Sequence, residues 1–96
     1  MSMAEFTVQL AHSAIEDLNN IEEHIRGQVV DGIRSLSFDP LPTGKGIKKL
    51  KGFKPPLYRY RSGDFRIIYR LSNRLVMILR IINRKELEKI IKHSHL

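Results

Sequence analysis

Ninety-six residues supply chain for one modest core, so residues 1–96 are expected to form a single domain. A hydrophobic fraction of 42% argues against disorder, and the lack of cysteine excludes disulfides and thiolate metal sites and suits a reducing cytoplasm. No run of about 18 apolar residues marks a membrane span, and Met1 to Leu10, with Glu5 and no basic residue, does not read as a signal peptide. The net charge of +7 is unevenly spread. Residues 1–44 hold two basic residues against seven acids, a net −5, and residues 45–96 hold fifteen against three, a net +12. Such concentration is the footprint of a polyanion or an acidic protein partner.

Phe6 to Leu10 alternates apolar and polar and predicts a first strand. His12-Ser13 offers an N-cap, and Glu16, three residues after Ser13, completes a capping-box pattern. Ala14, Ile15 and Leu18 form the apolar side of a short helix that Asn19-Asn20 breaks. Ile21, Ile25, Val29, Ile33 and Leu36 then form one stripe on a second helix of roughly four turns. Gly27 and Gly32 each weaken it by about 1 kcal/mol relative to Ala, and Gly32, beside the stripe, suits close packing.

Asp39-Pro40-Leu41-Pro42 ends the helix. The segment from there to Pro56 reads as one long loop, with Ile47 and Leu50 as apolar anchors among Lys45, Lys48, Lys49 and Lys51. Next come two strands joined at Ser62-Gly63-Asp64. Tyr58, Tyr60, Phe65, Ile67, Tyr69 and Leu71 share one face of this hairpin, and Arg59, Arg61, Arg66, Ile68 and Arg70 share the other. Ser72-Asn73-Arg74 turns the chain into Leu75 to Ile82, apolar enough for a strand covered on both faces. Asn83 can cap a last helix from Arg84 to about His93, with Leu87, Ile90 and Ile91 on its apolar side.

The expected order is β-α-α-β-β-β-α. This is an α+β fold: a four-stranded, mainly antiparallel sheet with the N-terminal helical hairpin on one face and a short C-terminal helix. The other face is expected to be open and to carry Arg59, Arg61, Arg66 and Arg70.

Three blocks, Lys49-Leu50-Lys51-Gly52, Tyr58 to Tyr69 and Ile81-Ile82-Asn83-Arg84-Lys85, resemble the RelE/ParE superfamily of bacterial and archaeal toxins. The pattern there is roughly K-L-x-G, then Y-R-x-R-x-G-x-[YF]-R-[VI]-[IV]-Y, then a strand and a basic motif. The resemblance implies a cytoplasmic toxin of a type II toxin–antitoxin system, paired with an acidic, partly disordered cognate antitoxin in a hetero-oligomer. For RelE-like members it implies a ribosome-dependent mRNA endoribonuclease that needs no metal or cofactor and uses the RNA 2′-hydroxyl as nucleophile. For ParE-like members it implies inhibition of DNA gyrase, and a degenerate relative would only bind antitoxin or nucleic acid.

On the ribonuclease reading, Arg66 and Arg84 match the two motif arginines as phosphate or transition-state stabilisers, with Arg84 also a candidate acid. Arg59 stands where such members carry a basic catalytic residue. Lys48, Lys49, Lys51, Arg61 and Arg70 are candidate RNA or phosphate contacts. The tyrosine that many members carry after the last arginine is missing, for no tyrosine follows Tyr69. Glu88, His93 and His95 are the alternative candidates for the base.

Overall fold

The computed structural model describes residues 5–43 and 46–93. Its elements run β1 (Thr7–Leu10), α1 (His12–Asn19), α2 (Glu23–Leu36), β2 (Ile47–Leu50), β3 (Leu57–Ser62), β4 (Phe65–Ser72), β5 (Leu75–Asn83) and α3 (Arg84–His93). The strands form one five-stranded sheet in the order β1-β5-β4-β3-β2. The class is α+β, but the expected four-stranded, mainly antiparallel sheet is corrected to a five-stranded mixed one. The fifth strand is β2, placed in the predicted loop, and it pairs antiparallel with β3 from Ile47↔Tyr60 to Leu50↔Leu57. The mixed character comes from β1, which runs parallel to β5.

A hairpin is the shortest route between antiparallel partners, and β3 and β4 use it. They pair from Tyr58↔Tyr69 to Ser62↔Phe65, with Gly63 at φ +58 in the turn, a conformation that a side chain disfavours. β4 and β5 follow through a turn at Asn73, also in the left-handed region at φ 55. Their register shifts between Ile68 and Tyr69.

The helical side of the sheet holds the larger core. Ala14, Ile21, Val29 and Leu36 meet Ile47, Ile67, Tyr69, Val76, Ile78 and Ile81 there, with Tyr58 and Tyr60 packed against them. Tyr58 and Tyr69 stack at 5.7 Å. The Tyr69 hydroxyl, buried with its ring, donates to the Pro40 carbonyl at 2.7 Å, so the chain leaving α2 is tied to the sheet centre. Desolvation, then Tyr58 and Asp39, holds that hydroxyl well above its ordinary pKa, so it stays a donor.

The opposite face is not open. Leu50, Leu57, Ile68, Ile82 and Leu87 form a second buried cluster, with Phe53, Leu79 and Ile90 packed against it. α3 supplies Leu87 and Ile90 and so covers the middle of the face that was expected to be bare. Its start is fixed as predicted, with the Glu86 amide donating to the Asn83 Oδ1 at 2.8 Å. α1 departs from its prediction. Its N-cap is Ala11 without a side-chain cap bond, because the Ala11 amide joins the sheet at Ile78 while its carbonyl opens the helix.

Past Leu10, β1 no longer covers the edge of β5. Asp17 of α1 takes over. Its carboxylate accepts from the Ile81 amide at 2.8 Å and from Arg80 Nε and Nη2 at 2.7 and 3.1 Å. Hydrogen bonding to Asp17 chiefly holds the Arg80 guanidinium above its usual pKa. Asp17→Ala leaves the Ile81 amide without its acceptor and leaves Arg80 only the Glu86 carboxylate, 3.8 Å away. It is expected to cost about 2 kcal/mol, read as a lower urea midpoint with an unchanged slope.

The two α2 glycines should respond oppositely to alanine. A Cβ at Gly32 would sit 2.9 Å from the Tyr60 ring, whereas one at Gly27 would meet nothing within 4 Å. Gly27→Ala is expected to stabilise by roughly 0.5–1 kcal/mol in urea unfolding. Gly32→Ala should destabilise by about 1–3 kcal/mol, because the tyrosine must shift out of a packed layer.

Candidate functional site

The hairpin turn and the first turn of α3 are fastened to one another. The Arg84 amide donates to the Asp64 carbonyl at 2.8 Å. β3 and β4 pair Arg61 with Arg66 directly across the hairpin, and β4 and β5 pair Arg66 with Ile82. Arg59 lies two residues back along β3 on the same face. Four guanidinium groups from three elements therefore gather at one end of the sheet.

Arg66 is the buried member, 9% exposed. Its Nη1 donates to the Gly63 and Phe65 carbonyls at 2.9 and 3.0 Å, which leaves the rest of its fork for a ligand. Desolvation first, then Arg59, Arg61 and Arg84, lowers its pKa, and Asp64 opposes that shift. Arg59 is lowered by burial and then by Arg61, and its Nη1 donates to the Gly46 carbonyl at 3.2 Å. Guanidinium starts so high that Arg59 and Arg66 both remain cations near neutral pH despite these shifts. An anion entering the group would relieve the repulsion and offset the lost hydration with charge-assisted hydrogen bonds.

Beside the group, a cleft of about 610 Å³ is lined by Asp64, Asn83, Arg84, Lys85, Glu86 and Lys89. It presents cations, carboxylates and an amide together. Sequence reasoning took Asp64 only as a turn residue and passed over Lys85 and Lys89. The available signal was that Lys85 and Lys89 stand four apart on one helix face beside Arg84.

The other predicted residues lie elsewhere. Lys48 pairs with Arg59 across β2 and β3 and extends the arginine row. Lys49 pairs with Tyr58, and with Lys51 it borders a separate hollow that includes Phe53, Lys54 and Pro56. Arg70 is exposed four residues along β4 from Arg66, roughly 13 Å away in an extended strand. Glu88 is exposed on α3 and does not line the cleft. His93 ends α3, nine residues and roughly 13 Å of helix rise beyond Arg84. His95 lies outside the described residues.

Small α+β folds of this shape with a cation-rich sheet end define a class, and the comparisons identify it. The family model described as ParE toxin of type II toxin-antitoxin system, parDE, matches residues 8–92. A relative named RelE1, from Methanocaldococcus jannaschii, is 32% identical over 84 residues, 85% of this chain and 92% of its own length. The toxin–antitoxin complex RelBE2 of Mycobacterium tuberculosis contains a chain 29% identical to this one, with TM-score 0.72 over 83% of this chain and 99% of that one. In the archaeal RelE-RelB complex of Pyrococcus horikoshii OT3 the values are 25% identity and TM-score 0.70, over 83% and 96%. The chain belongs to the RelE/ParE family: it is a toxin of a type II toxin–antitoxin system.

Like charges directly opposite in a sheet repel, so the Arg61–Arg66 pair costs the free protein stability. Arg61→Thr is expected to raise stability by a few tenths of a kcal/mol at low salt, the gain shrinking as salt rises.

Proposed function

We propose that this toxin is a ribosome-dependent, metal-independent mRNA endoribonuclease that inhibits translation. The convergence of Arg59, Arg61, Arg66 and Arg84 on one sheet end carries the reading. Cleavage through the 2′-hydroxyl builds negative charge on a pentavalent phosphorus. Fixed cations in a partly desolvated site stabilise that charge more than they stabilise the starting diester. Arg66 is held by its turn, so its guanidinium need not reorganise far during the reaction, and the backbone bond to Asp64 fixes where the Arg84 side chain starts. Lys48 and Arg70 extend the positive face for messenger or ribosomal RNA.

Relatives of this chain were solved as RelB–RelE complexes, and the charge asymmetry fits a partner of the same kind. An acidic antitoxin segment that neutralises the arginine end would silence the enzyme by occupying its phosphate site.

A second reading, inhibition of DNA gyrase, is what the resemblance to ParE-like members implies, and residues 8–92 match a ParE toxin family model. The two separate in parallel assays. On translating ribosomes, mapped mRNA ends are expected to show new cuts with wild type and none with Arg66→Ala or Arg84→Ala, losses of about 100-fold or more each. Gyrase supercoiling should be unaffected. Intact mRNA together with blocked supercoiling would establish the second reading instead.

A further inference from the structure

The arginine cluster can hold a phosphate but cannot take up a proton. We propose that the Asp64 carboxylate, at the mouth of the cleft beside Arg84, is the proton acceptor for the attacking 2′-hydroxyl, an inference that rests on the ribonuclease reading above.

Two carboxylates line the cleft, and they differ in what they already do. Glu86 lies 3.8 Å from Arg80 Nη2, on the guanidinium that Asp17 holds. The Asp64 carboxylate has no hydrogen-bond or ion-pair partner among the described residues, although it is close enough to Arg66 to stabilise that cation. An exposed carboxylate at the edge of a guanidinium cluster, coupled to Arg66 through charge but holding no hydrogen bond, is available to a ligand. Its backbone is fixed as well, because its carbonyl accepts from the Arg84 amide and the Gly63 turn precedes it. A phosphate held between Arg66 and Arg84 would therefore bring the adjoining ribose within reach of Asp64.

The step balances without a further reagent. The 2′-hydroxyl proton passes to an Asp64 Oδ as the 2′-oxygen bonds to phosphorus. The bond from phosphorus to the 5′-oxygen breaks, and that oxygen takes a proton from water. The products are a 2′,3′-cyclic phosphate and a 5′-hydroxyl, and Asp64 returns its proton to solvent. A carboxylate suits this task because it is already deprotonated near neutral pH. The charged groups around it are Arg66 of β4, which itself pairs with Arg61 across the hairpin, and Arg84, Lys85, Glu86 and Lys89 of α3.

The test is single-turnover mRNA cleavage on programmed ribosomes, with Asp64→Asn and Asp64→Glu beside wild type. Asparagine keeps the turn and the size of the side chain while removing the basic oxygen. Asp64→Asn is expected to slow cleavage by roughly 100- to 10,000-fold, with affinity for programmed ribosomes within about 3-fold and the thermal midpoint lowered by no more than about 3 °C, the share of Arg66 stabilisation that the charge supplies. The acidic limb of the pH–rate profile should disappear in this variant, and Asp64→Glu should restore cleavage at least tenfold over Asp64→Asn. An Asp64→Asn rate within about 3-fold of wild type overturns the inference while leaving the ribonuclease reading intact. A loss carried by affinity or by the thermal midpoint, with no rescue by glutamate, overturns it likewise. A wild type that cuts nothing overturns both.

Discussion

Burial of β4 and β5 on both faces is the constraint from which the rest follows. Ile67, Tyr69, Ile78 and Ile81 need cover on one side, Ile68 and Ile82 on the other. One helical layer cannot meet both demands. The N-terminal helices take the first face, and α3 must fold back over the second. That return brings the chain past the hairpin turn at Arg84. The juxtaposition of Arg84 with Asp64 and Arg66 is thus a by-product of hydrophobic burial.

The charged groups work against this stability. Guanidinium groups crowd the end of the sheet, one of them nearly buried, with Asp64 the carboxylate that opposes their effect on Arg66. The fold compensates elsewhere, through Asp17 on the free edge of β5 and through Tyr69 anchoring the segment after α2. This separation is typical of a functional site, where local interactions serve a ligand and the surrounding structure sustains them.

Much of this was legible in the residues. The hairpin could be read because strict alternation leaves few ways to pair Tyr58 to Tyr69, and the α2 stripe because spacings of three and four admit one face. The covered second face was also written there, in Ile68 standing between Arg66 and Arg70 and in the apolar side of α3 that meets it. Strand β2 was hidden for a physical reason. Its four residues are buried only at the ends, Ile47 and Leu50, so no period of two appears, and its pairing depends on the edge that β3 offers. The parallel pairing of β1 is set by partners nearly seventy residues apart, which no local pattern encodes. Arg59, Arg66 and Arg84 could be proposed from their motif. The place of Asp64 could not, since it rests on α3 returning to the turn.

Strand β2 also closes the sheet on its outer side, and a last strand presents backbone donors and acceptors that another chain can pair with. Here the two central residues of that strand are Lys48 and Lys49, both exposed, with Lys51 just beyond. Two identical edges brought together would set these ammonium groups against each other. The border therefore discourages copies of the toxin from stacking into a continuous sheet, while remaining attractive to a chain of opposite charge.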